Sequence, residues 1–166
     1  MKQILQLALG LLFGATSAFA HSDALKPQFV DTLVDPYLAI QQGLAGDDLA
    51  SAQSGASAFL AAIEDAPNEY DAIEDAAKLS APAKSIAEAG DIKAARSAFL
   101  ALSNEMISLV EHVGTSGGTA LFTANCPMAF GGKGGDWIQS GKTVTNPYYG
   151  AMMLRCGSVK EQIAGE

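Results

Sequence analysis

Histidine and cysteine are scarce in this sequence, with two of each among 166 residues. So few nitrogen and sulfur ligands exclude the repeated Cys/His spacing of zinc modules, and the absence of Cys-x-x-Cys-His excludes covalently attached c-type haem. Basic residues are also few, ten against eighteen acidic, for a net charge of −8. A chain this acidic does not bind nucleic acid or anionic lipid through general electrostatics. There is no Gly-x-Ser-x-Gly elbow, no His-Glu-x-x-His and no phosphate loop ending in Gly-Lys-Ser/Thr. We therefore expect no enzyme. Paired carboxylates such as Glu64-Asp65 and Glu74-Asp75 read as solvated helix faces.

Long apolar runs are missing too, except at the start. Met1 and Lys2 precede "ILQLALGLLFGA", and "TSAFA" then ends on Ala18-Phe19-Ala20. A basic start, a short apolar core and an A-x-A site describe a secretory signal peptide at 1–20, and the core is too short to span a bilayer. The expected mature chain is 21–166, a single helical domain, periplasmic or secreted, with no membrane insertion after cleavage.

Three segments carry apolar residues at steps of three and four: Val30, Leu33, Tyr37, Ile40 and Leu44; Leu49, Ala52, Ala56, Phe59 and Ile63; Phe99, Leu102, Met106, Leu109 and Val113. That spacing predicts amphipathic helices packed as bundle neighbours. Asp47 or Asp48, Asn68 and Asp91 are suited to cap helix starts, and Gly46, Gly90 and Gly114 to mark the ends. Pro36 predicts a helix start near Asp35 or a kink, and Pro82 a break near Ser80–Pro82 in a weaker helix over 68–89. From about residue 115 the text turns Gly-rich. "TALFTANC" could be a short extended segment, "GGKGG" is a loop, and "GAMMLRCGSVKEQI" reads as a short helix or turn. The expected fold is all-α: an up-down bundle of about four helices with an irregular Cys/Met-bearing C-terminal cap.

Both cysteines lie in that cap, each beside a methionine. Cys126 and Met128 share a side if extended; Met152 or Met153 shares a face with Cys156 on a helical turn. Thiolate with thioether is the ligand set that selects Cu(I) or Ag(I). Equally, two cysteines in an exported chain suggest one disulfide. Spacing leaves both open. Met106 lies on a helical stripe and reads as core filler. His21 would open the mature chain, where an amino terminus plus imidazole chelates Cu(II). His112 reads as a helix-end cation suited to the dipole, and as a nitrogen ligand if the cap folds over it.

The ordered motifs Cys126-Pro127-Met128-Ala129, Gly134-x-x-Trp137, Asn146-Pro147-Tyr148-Tyr149-Gly150 and Met153-Leu154-x-Cys156-Gly157 resemble domain of unknown function 3347. "VDPYLAIQQGLAGDDLASA" and "ARSAFLALSNEMISLV" resemble its helical part. This exported bacterial family also occurs as a C-terminal module on membrane-fusion adaptors of copper/silver-type efflux systems. The resemblance implies heavy-metal handling, with Cys126, Met128, Met153 and Cys156 as ligands and Trp137, Asn146, Pro147 and Tyr148 shaping the loop around them. Metal-efflux components or another periplasmic metalloprotein are the implied partners. Asn125 stands where the family motif carries His or Tyr, which removes one possible nitrogen ligand.

Overall fold

Pro27 opens the first helix, where its missing N–H is one that a helix start leaves unpaired anyway. The computed structural model describes residues 25–65 and 74–165; the expected signal peptide, His21 and Asn68 lie outside them. Helix α1 (Pro27–Ala45) runs unbroken through Pro36, starting eight residues before Asp35, where Pro36 suggested a start. Val30, Leu33, Ile40 and Leu44 are fully buried along it and Tyr37 nearly so, so packing on both sides of the proline outweighs one missing backbone bond.

The chain then reverses through Gly46 and Asp47. Asp48 caps α2 (Leu49–Glu64), its carboxylate accepting from the Ser51 N–H at 3.0 Å and the Ser51 hydroxyl at 2.6 Å. Helix α3 (Glu74–Ala87) passes through Pro82 without the expected break, burying Leu79, Ala83 and Ile86. Asp91 caps α4 (Ile92–Val113) through the Ala94 N–H at 2.8 Å, and Gly114 at φ 81° ends it. The Gly-rich connection that follows is pinned to α1: Asp31 accepts from the backbone N–H of Ser116 and of Gly117, each at 3.1 Å.

The all-α expectation fails in the C-terminal part. Strands β1 (Leu121–Cys126), β2 (Gly135–Gln139) and β3 (Ser158–Ala164) form an antiparallel sheet in the order β2-β1-β3. A short helical turn, α5 (Ala129–Gly132), links β1 to β2, and a 3-10 turn at Gly150–Met152 precedes β3. The cap is thus a sheet with a long loop, not an irregular coil. β1 lies within "TALFTANC", the segment expected to be extended, and is buried on both faces. The other two strands escape a period-two search for identifiable reasons. β2 begins inside the Gly-rich text, and β3 is mostly exposed.

Sheet and helices share one core. The Ile138 N–H donates to the Tyr37 hydroxyl at 3.0 Å, and that hydroxyl also bonds the Ser103 hydroxyl at 2.7 Å, tying β2, α1 and α4 together. Tyr37 stacks on Phe99, with ring centroids 5.3 Å apart. Among the described residues no helix is long and apolar enough to cross a membrane.

Candidate functional site

Cys126 ends β1 and is completely buried, its backbone opposite Gly135 of β2. Pro127 follows, has no N–H to extend the ladder, and turns the chain into α5. Cys156 reaches the same place from thirty residues further on. The 3-10 turn delivers it: its N–H donates to the Met153 carbonyl at 2.9 Å, and its own carbonyl accepts from the Asn146 side-chain amide at 2.8 Å. Gly157 then adopts φ 124° with its Cα pressed against the Asn125 carbonyl, where any Cβ would collide. The two sulfurs stand 3.0 Å apart and are not bonded to each other.

Aromatic rings pack beside Gly135, the residue opposite Cys126. Trp137, fully buried, meets Tyr148 edge-on at 5.7 Å, and Phe130 meets Tyr148 edge-on at 5.0 Å. The Tyr148 hydroxyl donates to the Asp136 carbonyl, and burial pushes that phenol well above its ordinary pKa. The hydrogen bond with Cys126 raises the Cys156 thiol, and burial adds to the effect. A raised thiol holds its proton, which makes Cys156 a weaker nucleophile and means that it releases a proton when an ion binds.

Of the four residues expected as ligands, the cysteines converge, Met128 is exposed and Met153 is half-buried. Met128 is 55% exposed and Met152 is 79% exposed, the large hydrophobics most open to solvent among the described residues. Met153 is half-buried in the turn that delivers Cys156. The Tyr149 hydroxyl donates to the Met128 carbonyl at 2.7 Å, which links the Met128 turn to the 3-10 turn. His112 is exposed on the last turn of α4, its Nδ1 2.7 Å from the Ser108 carbonyl. Among the described residues no group of three or more His, Cys, Asp or Glu is arranged to hold an ion.

Sequence reasoning missed the attachment of this cap to the helices. Arg96, on α4, donates to the Pro147 carbonyl at 2.8 Å, to the Leu44 carbonyl at 2.7 Å and to Asp47 at 2.6 Å. Asp47 in turn accepts from the Ala151 N–H at 2.8 Å. The available signal was a lone arginine in an Ala-rich helix, one of two in the chain.

The family described as "Protein of unknown function (DUF3347)" matches residues 33–118, from the middle of α1 to the connection before β1. The sulfur pair and the sheet lie beyond the matched residues. No curated protein matches the chain, and no solved structure does.

Proposed function

This chain belongs to the DUF3347 family, and on that premise we propose that it is an exported carrier of a soft monovalent metal ion, Cu(I) or Ag(I), taken up between the Cys126 and Cys156 sulfurs and passed to efflux components or another periplasmic metalloprotein. The observation that carries this reading is the convergence of two unbonded thiols, from residues thirty apart, each with an exposed methionine within four residues in the chain. Two thiolates suffice for a two-coordinate soft ion, and thioethers are weak ligands suited to its entry and exit. The sulfurs have to part on binding. With metal–sulfur bonds of ~2.3 Å on opposite sides of a two-coordinate ion they would sit roughly 4.6 Å apart. Cys156, half-buried and beside Gly157, is the partner placed to move.

The 3.0 Å separation favours a second reading, in which the pair closes as a disulfide and the module is a stapled structural or protein-interaction unit. Closing a loop of about 30 residues stabilises by roughly 3–4 kcal/mol in the chain-entropy model.

An anaerobic Cu(I) titration of the mature protein, with a free-thiol count of the protein as isolated, separates the two. The carrier reading expects uptake of one equivalent, abolished in Cys126→Ser and weakened in Met153→Leu, a swap that roughly conserves volume. Zero free thiols as isolated, with no uptake after reduction, would overturn it in favour of the staple.

A further inference from the structure

The loop between β2 and β3 is not held by its own hydrogen bonds alone. Asn146 sits at its centre and is completely buried. Its backbone N–H donates to the Leu154 carbonyl at 2.9 Å, and its carbonyl accepts from the Gly150 N–H at 3.1 Å. Its side-chain oxygen accepts from the N–H groups of Tyr148 at 2.8 Å and Tyr149 at 3.2 Å. The side-chain nitrogen is left to face the sulfur site, and it donates to the Cys156 carbonyl at 2.8 Å. Every polar atom of the residue is therefore engaged, as a buried amide requires.

Both chain neighbours of Asn146 are gripped by the helices. Gln41, on α1 and almost fully buried, donates to the Thr145 carbonyl at 2.6 Å. Arg96, on α4, donates to the Pro147 carbonyl at 2.8 Å. We infer that Asn146 is the positioning residue of the sulfur pair: held from both sides by the helical part, its amide fixes the Cys156 carbonyl and with it the Cys156 thiol against Cys126. The inference rests on reading the pair as the working site. It gives the family-matched helices a role in that site although they contribute no sulfur to it.

The test isolates one hydrogen bond. Asn146→Asp keeps an oxygen for the Tyr148 and Tyr149 N–H groups and removes the donor to Cys156. The readout is the equilibrium between dithiol and disulfide in glutathione buffers, taken on folded protein. There the pair gives two electrons and two protons to oxidised glutathione, forming one S–S bond and two reduced glutathiones. An unmade buried hydrogen bond predicts a pairing constant about tenfold lower in Asn146→Asp than in wild type. Gln53→Ala serves as the control, because it removes the bonds from α2 to the Ala87 and Ala89 carbonyls at the end of α3, and neither helix holds a residue named at the pair. It should lower the unfolding midpoint and change the pairing constant by less than about twofold. Equal pairing in Asn146→Asp and wild type, or an equal fall in Gln53→Ala, overturns the positioning role. Wild-type thiols that never pair and take up no Cu(I) overturn the sulfur-site reading, and the positioning role falls with it. If Asn146→Asp does not fold, Asn146→Ser, too short to reach the Cys156 carbonyl, replaces it with the same expectation.

Discussion

Asp47 occupies a backbone conformation, φ 59°, that few side chains other than Asn and Asp tolerate. The strain positions a carboxylate where Arg96 and the Ala151 N–H meet. The hydrogen bond from Arg96, followed by that from the Ala151 N–H, holds the carboxyl below its ordinary pKa. A carboxyl lowered in the folded state contributes stability above its unfolded pKa and loses it as pH falls through the folded one. Urea unfolding followed from pH 7 to 2.5 should therefore show a decline that begins near pH 4, the ordinary aspartate range. Asp47→Asn keeps the favoured conformation and removes the charge. It should lower the midpoint slightly at pH 7 and flatten the decline below about pH 4. A decline identical to wild type would place the acid sensitivity elsewhere, for example at Asp48, whose carboxyl is held low by Ser51.

Among elements, α1 and α2 pack closest, and glycine makes the contact. A Cβ on Gly55 would stand 2.8 Å from the Ile40 backbone nitrogen, and one on Gly43 would stand 2.6 Å from that of Ala52. Neither helix can give way without uncovering Phe59 or Leu44. Gly55→Ala should thus destabilise by about 1–3 kcal/mol despite its better helix propensity, measured as a lower urea midpoint with an unchanged slope. The helices themselves were legible, because one face of each is buried and the spacing of apolar residues records that face. The record drifts at the end of α4, where Val110 is buried and the expected Leu109 and Val113 are only half so. Prolines misled in the opposite sense. Pro36 and Pro82 carry real local costs, which tertiary packing overrides. The sheet was legible only at β1, whose segment reads as extended; β2 begins among glycines, and Lys160 and Glu161 mark β3 as a surface strand rather than a core one.

At the scale of the whole molecule the sheet is part of the core, although the family match stops before it. Removing residues 119–165 would strip the Ile138 N–H from the Tyr37 hydroxyl and Tyr148 from the Phe99 ring. The remaining helices, cut after Gly118, should keep helical circular dichroism, lose a sharp urea transition and bind a hydrophobic dye. A sharp transition in that fragment would make the sheet an appendage instead. The sulfur site divides the same way between what a sequence can and cannot carry. Cys126 and Cys156 were identifiable by rarity and residue type; of the methionines chosen by spacing, Met128 and the lesser candidate Met152 are exposed and Met153 is half-buried. Spacing fixes which side chains share a face, and only the fold decides where that face looks.

The sulfurs also meet at one particular end of the sheet. Asn125, beside Cys126, pairs with Ser158, the first residue of β3, while Ala164 at the far end pairs with Leu121. A link between the cysteines pins β3 where it begins, and the strand can then leave β1 only from its tail. Fraying acquires a direction: Gln162 to Gly165 open first and Ser158 last, so a protease or an exchanging solvent proton enters from one side alone. Without the link both ends are free to start. The order in which this edge opens therefore reports the state of two atoms at its root.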